Sequence, residues 1–196
     1  MALSDGRVED YKSRKNRERI IKCESEFAIK TKYTWLTIKD GIVMSSSGVD
    51  ESNADGKIIF LPEDSFQSAQ NIRNLFKKQY KIKNLGVIIT DSRLLPLRAG
   101  VVGVALGYAG FFGVRDYRGK KDIFGRKLVV TQTDVADSLA TSAVLCMGEG
   151  SEQKPLALIS SAPVVFKDKI NKNELYVNPK DDIYEPLFHK FIRLRF

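Results

Sequence analysis

Histidine and cysteine are almost absent from this sequence of 196 residues. Its two cysteines, Cys23 and Cys146, are too few for a disulfide framework or for the ligand spacing of a zinc site. The only histidine is His189, near the C-terminal end, so a Ser/His or Cys/His pair for nucleophilic catalysis has no support. The scarcity of cysteine fits a reducing, cytoplasmic setting.

A long hydrophobic run is also missing, and the N-terminal residues lack the pattern of a signal peptide, which argues against a membrane protein. Hydrophobic residues make up 43% and charged residues 29% of the chain, as in soluble globular proteins. The length is that of one ordinary domain. We therefore expect a single domain over residues 1–196, in which the polar, aperiodic residues 1–16 form a mobile arm.

The formal charge is +8, and six basic residues cluster between Lys12 and Lys22. Clustered Lys and Arg are typical of nucleic-acid binding, but a solvated helix face explains them more simply, and we favour that interpretation. A positive field would also attract a small anionic substrate such as a nucleoside triphosphate.

Hydrophobic periodicity predicts an α+β fold in which helices pack on mixed sheets. The predicted helices cover residues 17–26, a segment starting at 62–65, and a segment capped by Thr131 or Thr133 that ends at Met147 and Gly148. The predicted strands are 27–29, 35–38, 42–44, 57–61, 86–90, 128–130, 156–159 and 163–166, with a turn at 39–41 that makes a hairpin. Five glycines interrupt the apolar stretch 97–113, which predicts close approach of backbones there.

Two predicted strands are each followed by polar oxygen-bearing side chains. Asp50 and Asn53 lie shortly after strand 42–44, and Asp91 and Ser92 follow strand 86–90 directly. For a single Asp in this position a turn or a helix cap is the commoner role. Two such sites at one edge would suit a hard cation, since carboxylate oxygens are the ligands of Mg²⁺ and Mn²⁺. Glu149, taken alone, is explained as a solvated carboxylate at a helix end.

A set of motifs from about residue 24 to 159 resembles the coenzyme F420-0:L-glutamate ligase family, the gamma-glutamyl ligases that act on a deazaflavin. The matching segments, in order, are 48–53 (GVDESN), 61–64 (LPED) with 68–69 and 72–73, 86–92 (GVIITDS), 102–107 (VGVALG), 116–119 (DYRG), Asp122, 125–126 (GR), 135–137 (VAD) and 147–149 (MGE).

The resemblance implies an α+β fold that forms an intertwined homodimer and binds GTP and two divalent cations, Mg²⁺ or Mn²⁺. By the matched motifs, Asp50 and Asp91 would hold one cation, Ser92 and Glu149 would help to hold the second, and Asn53 would contact the nucleotide. The implied reaction turns an acceptor carboxylate into an acyl phosphate, which the amine of L-glutamate then attacks. Such a ligase needs no enzyme nucleophile, and no residue is assigned a catalytic role.

The sequence departs from the family pattern in three places. First, the family's N-terminal segment with a Lys-x-x-Ser motif is not found. Second, the family's Gly-Arg-Pro stretch is replaced by residues 93–98, of which only Pro96 and Arg98 fit. Third, residues 160–163 stand where the family usually has Arg-Gly. Two alternatives therefore stay open beside the deazaflavin ligase. One is a non-catalytic or split-ligase subunit completed by a second chain, and the other is a folate-type ligase for a pterin-like acceptor. The choice between GTP and ATP also stays open.

Overall fold

The computed structural model describes residues 6–169 and 171–187. Within them the chain forms three α-helices of ten or more residues, a short 3-10 helix (Ser46–Gly48) and nine strands. The helices are α1 (Arg14–Cys23), α2 (Ser65–Tyr80) and α3 (Val135–Met147). The strands are β1 (Val8–Asp10), β2 (Phe27–Lys30), β3 (Trp35–Lys39), β4 (Ile42–Ser45), β5 (Lys57–Ile59), β6 (Val87–Leu94), β7 (Val101–Ala109), β8 (Val114–Asp116) and β9 (Gln132–Asp134).

These strands pair as four small antiparallel sheets, β1-β5, β2-β3-β4, β6-β7 and β8-β9. Helices and separate antiparallel sheets together make an α+β architecture, as the sequence predicts. None of the helices in the described residues is long and apolar enough to cross a membrane.

The first hydrophobic core lies under α1. Ile20 and Ile21 of this helix pack with Ile58 of β5 and with Trp35 of β3. The helix begins at Arg14 rather than at residue 17, because the Ser13 hydroxyl accepts a hydrogen bond from Asn16 N–H at 3.2 Å and caps it.

The prediction of an arm over residues 1–16 is wrong for its described part. Val8–Asp10 pairs with β5, where Val8 lies opposite Ile59, and α1 begins four residues after this strand. The pattern was missed because the strand has three residues and all of them are exposed, so no apolar alternation marks it.

The predicted hairpin is confirmed as β3 and β4, which join through Asp40 and Gly41, both with positive φ. The Thr37 hydroxyl is fully buried and donates to Met44 O at 2.9 Å, which ties the two strands together inside the core. From β4 the chain passes through the 3-10 helix directly to Val49 and Asp50.

The pair β6-β7 is the longest in the structure, and it corrects the expected place of Asp91 and Ser92. Both residues lie inside β6, opposite Val104 and Gly103, and not at the strand end. A register shift between Ile89 and Thr90 marks a β-bulge. The apolar run of β6 ends at this bulge, which bends the strand locally. The pairing with β7 continues beyond it.

Two glycines of β7 let helices rest directly on its backbone. A Cβ at Gly103 would lie 2.5 Å from Ala140 O of α3, and a Cβ at Gly107 would lie 2.5 Å from Phe66 N of α2. Any side chain there would force the helix away. The close backbone approach expected from the glycine-rich stretch is thus confirmed.

Helix α3 is also bound to β7 by polar side chains one turn apart. Asp137 Oδ1 accepts the N–H of Ala105 at 2.9 Å, and the Thr141 hydroxyl donates to Gly103 O at 2.7 Å. The N-cap of α3 is Asp134, whose Oδ1 accepts Asp137 N–H at 2.8 Å, so the expectation of Thr131 or Thr133 as the cap is wrong. The predicted end at Met147 and Gly148 is confirmed.

Three predicted strands are not strands. Residues 128–130 belong to a long hairpin between β8 and β9, here called the β8–β9 arm (residues 117–131), which is held by pairs such as Gly119 N to Leu128 O at 2.8 Å. Residues 156–159 have no regular structure, and of 163–166 only Phe166 makes an isolated bridge, with Phe111. His189 lies outside the described residues.

We expect Gly107→Ala to lower the free energy of unfolding by about 1–3 kcal/mol, because the new methyl group would overlap the first turn of α2. Urea denaturation measures this change. Gly150→Ala is the matched control, since its Cβ would meet only the end of the Glu152 side chain at 3.3 Å, and it should cost far less. Equal losses in the two variants would contradict the packing argument.

Candidate functional site

The loop that carries Asp50 is closed at its base by the backbone. Asp50 N–H donates to Ile59 O at 3.0 Å, and Ile59 N–H donates back to Asp50 O at 2.8 Å. Ile59 belongs to β5, which also pairs with β1 and packs into the first core through Ile58. The paired backbone thus fixes the position at which residues 50–57, here called the Asp50 loop, begin.

The Asp50 carboxylate is oriented by its own loop. Its Oδ1 accepts three hydrogen bonds, from Glu51 N–H at 2.8 Å, Ser52 N–H at 2.9 Å and the Ser52 hydroxyl at 2.8 Å. Its Oδ2 accepts none from the part of the chain that the structure describes. The loop thus holds one carboxylate oxygen in place and presents the other.

Asp91 is the most perturbed carboxyl of this region. It lies in β6 and is half-buried, and its Oδ1 accepts Ser92 N–H at 2.8 Å. Burial is the main reason why its pKa rises from 3.8 to about 6, and the negative charges of Asp50 and Glu149 raise the pKa further. Three acidic side chains from three different parts of the chain therefore act on one another here.

Glu149 and Asn53 lie on two segments of the chain that are joined by a hydrogen bond in this region. Glu149 directly follows the C-cap of α3, Gly148, which has a positive φ and ends the helix by donating to Val144 O. Asn53 Nδ2 donates to Gly150 O at 3.1 Å, which ties the Asp50 loop to the residue after Glu149. This contact spans 97 positions of sequence.

A cleft of about 530 Å³ opens beside this contact. It is lined by Asn53, Asp55, Gly150, Ser151 and Gln153, that is, by the Asp50 loop and by the segment after α3. All five residues bring polar groups to the cleft, although apolar atoms make up more of its wall than polar ones. A few polar groups set in a more apolar wall are typical of a site for a small ligand.

Asp50, Asp91 and Glu149 are close enough to interact electrostatically, but they are not arranged as a set of metal ligands. Within residues 6–169 and 171–187, no group of three or more His, Cys, Asp or Glu side chains is close enough to hold a metal ion. The chemistry of the donors nevertheless fits a hard cation, since all are oxygen atoms and a cation would offset the repulsion that raises the Asp91 pKa. For Ser92 the structure shows only that its N–H orients Asp91, so its role as a ligand stays a prediction.

Arg17 is a residue of this region that the sequence analysis missed. Its Nη2 donates to Val49 O at 3.3 Å, and its Nε lies 3.6 Å from Glu51 Oε2, so it contacts the residues on both sides of Asp50. The signal was present in the helix periodicity. Arg17, Ile20 and Ile21 follow the i, i+3, i+4 spacing of one helix face, and that face is the buried one.

Arg93 is a second residue that was missed. It follows Asp91 by two positions in β6, and its Nη2 donates to Asp137 Oδ2 at 3.2 Å. Asp137 also accepts the N–H of Ala105, so one carboxylate of α3 binds both strands of the β6-β7 pair. No spacing in the sequence indicates this contact, because it joins residues 44 positions apart.

Comparison with known proteins identifies relatives of the chain. The model of the F420-0:Gamma-glutamyl ligase family matches residues 11–161. A coenzyme F420:L-glutamate ligase of Methanococcus maripaludis (strain C7) is 43% identical over 146 residues, which are 74% of this chain and 58% of that protein. The protein of the same name from Methanocaldococcus jannaschii is 41% identical over 144 residues, 74% of this chain and 57% of the relative. That from Haloarcula marismortui is 33% identical over 174 residues, 88% of this chain and 66% of the relative.

This chain therefore spans little more than half the length of the first two of these curated relatives. The matched residues 11–161 include the whole of the site described above, from Arg17 to Gln153.

We expect the contribution of Asp91 to the stability of the protein to fall as the pH rises from about 4 to about 6. In this window the folded chain keeps the proton of Asp91, whose pKa is about 6, while the unfolded chain has lost it near 3.8. Asp91→Asn should flatten this slope and raise the free energy of unfolding at pH 7.5 by about 1–2 kcal/mol, since it removes the cost of charging a buried carboxyl group.

Denaturant titrations of the wild type and the variant at several pH values, without divalent cations, measure both effects. Asp40→Asn, at an exposed turn, is the control and should leave the slope as it is. A variant that is less stable than the wild type at pH 7.5 would contradict the burial argument.

Proposed function

Since this chain belongs to the F420-0:gamma-glutamyl ligase family, we propose that it is a ligase that joins L-glutamate to the carboxylate of a deazaflavin acceptor of the coenzyme F420 type. The observation that supports this most is the convergence of Asp50, Asp91 and Glu149 beside the cleft. Carboxylates gathered in this way beside a cleft are suited to a substrate that arrives with divalent cations.

We propose GTP as the co-substrate and two Mg²⁺ or Mn²⁺ ions as cofactors. Asp50 and Asp91 would hold one cation and Ser92 and Glu149 the other, and these cations would neutralise charge on the phosphates. Asn53 would contact the nucleotide, since its side chain already lies at the cleft and is oriented by Gly150 O. The positive net charge of +8 would attract the anionic substrates.

The proposed reaction has two steps. The acceptor carboxylate attacks the γ-phosphate, which forms an acyl phosphate and releases GDP. The amine of L-glutamate then attacks the acyl carbon, which forms an amide and releases phosphate. Because the substrates supply both nucleophiles, the chain has to orient them and exclude water, and it needs no nucleophile of its own.

The proposed ligase activity is tested with the purified chain, GTP, Mg²⁺ or Mn²⁺, L-glutamate and a deazaflavin acceptor, by mass spectrometry of the glutamylated product. We expect product, and we expect Asp50→Asn and Asp91→Asn to lower its rate at least about 100-fold, because each removes a charged cation ligand. Asp40→Asn should keep the wild-type rate. Full activity of both ligand variants would show that the metal assignment is wrong.

The same assay separates the alternatives. Binding of GTP and Mn²⁺ without product would favour a non-catalytic subunit, or one that needs a second chain. Product with a folate acceptor and none with the deazaflavin would favour the folate-type ligase.

We also propose that the chain forms a homodimer. The β8–β9 arm supports this, since its tip exposes Ile123 and Phe124 at 91% and 90% of their surfaces, and Val129 and Val130 are exposed beside them. Apolar side chains grouped on an ordered hairpin are typical of an interface.

Phe124→Asp should therefore shift the particle mass measured by light scattering from dimer to monomer. The control is Tyr33→Asp, which changes another exposed aromatic residue outside the arm and should leave the mass unchanged. A wild-type chain that is monomeric at all concentrations would contradict the dimer.

A further inference from the structure

We infer that Arg17 is a positioning residue that holds the Asp50 loop in the form that binds the divalent cation. This inference rests on the proposed function, because it concerns the same cation site. It assigns a role within the site to one member of the basic cluster between Lys12 and Lys22.

The contacts of Arg17 bracket Asp50. Its guanidinium group donates to Val49 O at 3.3 Å and lies 3.6 Å from the Glu51 carboxylate. Val49 is buried in the first core next to Ile21, and Glu51 is half exposed on the loop. Arg17 therefore joins the buried residue before Asp50 to the half-exposed side chain after it.

Arg17 differs from the other arginines of α1 in its surroundings. Its side chain is 23% exposed, whereas that of Arg14 is 82% exposed and contacts only Glu18 on the same helix. Arg19 makes a local hydrogen bond to Asn16. Most of the arginines of this helix thus lie on its solvated face, and Arg17 alone among these three turns toward the Asp50 loop.

The Nε–H group of Arg17 is buried and makes no hydrogen bond within the described chain. Its nearest acidic oxygen, Glu51 Oε2 at 3.6 Å, is beyond hydrogen-bonding distance. A buried donor without an acceptor is unusual in a purely structural contact. A small shift of the Glu51 side chain would bring its carboxylate within hydrogen-bonding distance of this group.

Charge gives a second reason for this role. Asp50 and Glu149 both act electrostatically on Asp91, and Glu51 adds a fourth carboxylate directly beside Asp50. A guanidinium ion beside Glu51 offsets that additional charge and does not occupy Oδ2 of Asp50. Arg17 would thus keep Glu51 away from the cation and leave Asp50 free to bind it.

The loop backbone also requires support from outside. Asn53 and Asp55 both have φ near +50°, in the left-handed region that non-glycine residues rarely adopt, and Asp50 is held mainly by bonds within the loop itself. The contacts that hold the loop from outside include the Ile59 base, the bond from Tyr11 N–H to Gly56 O, the Asn53 bond to Gly150 and Arg17. Of these, only Arg17 is a charged side chain.

The test compares Arg17→Ala, Arg17→Lys and the control Arg14→Ala. Mn²⁺ binding, measured by electron paramagnetic resonance of the free ion without nucleotide, gives a readout that is independent of turnover. We expect Arg17→Ala to weaken Mn²⁺ binding about 10–100-fold, as is typical when the support of a metal ligand is lost. Arg17→Lys, which keeps the charge and one donor, should restore part of the affinity, and Arg14→Ala should bind as the wild type does.

In the ligase assay the same loss should appear as a higher Mn²⁺ requirement of Arg17→Ala, with kcat at saturating Mn²⁺ within about threefold of the wild type. A purely structural residue would instead lower the melting temperature and leave the affinity of the folded fraction unchanged. Wild-type Mn²⁺ affinity in Arg17→Ala, or an equal loss in Arg14→Ala, would overturn the inference.

Failure of the proposed function is distinguished by the wild type alone. If the wild type neither binds Mn²⁺ nor forms product, the proposed function fails whatever Arg17 does. Amide hydrogen exchange of Glu51 and Ser52, whose N–H groups donate to Asp50, then decides whether Arg17 holds the loop. Faster exchange in Arg17→Ala than in Arg14→Ala supports that part of the inference, and equal exchange overturns it.

Discussion

The direct contact of two helices with the backbone of β7 is the constraint on which the rest of the structure depends. Because Gly103 and Gly107 carry no side chains, α3 and α2 lie closer to this strand than any other residue would allow. Asp137 and Thr141 then bind α3 to the polar groups of β7, so the helix can neither slide nor turn. Its C-terminal end, and with it Glu149, is thereby brought to the region of Asp91.

The candidate site lies where two separate hydrophobic cores meet. One core, under α1, supports the Asp50 loop through Val49 and Ile58, and the other, between β7 and α3, supports β6 and the first half of α3. The bond from Asn53 to Gly150 connects the two sides. At pH values above the raised pKa of Asp91, its charged form beside two other carboxylates costs folding free energy. Proteins tolerate this kind of cost at functional positions.

Short-range signals in the sequence predicted much of this architecture, and contacts distant in sequence account for most of the errors. The β3-β4 hairpin and the end of α3 follow from turn residues and glycine within a few positions, and both are confirmed. The continuation of β6 through Asp91 depends on its pairing with β7 after a bulge, which no local pattern shows. The strand pattern suggested the pairing of Asp50 with Asp91, and only the family motifs added Glu149. Arg17 was assigned to a solvated helix face together with its basic neighbours, although it shares the helical spacing of Ile20 and Ile21.

The reciprocal backbone bonds between Asp50 and Ile59 fix the position of the Asp50 carboxylate, so that this position does not depend on the length of the loop that follows. Residues 53–56 form a turn segment outside this base, and Ala54 is the buried residue among them. Insertions or deletions there would change the rim of the cleft at small entropic cost without moving Asp50. The rim of the cleft can therefore be remodelled while Asp50 keeps its place.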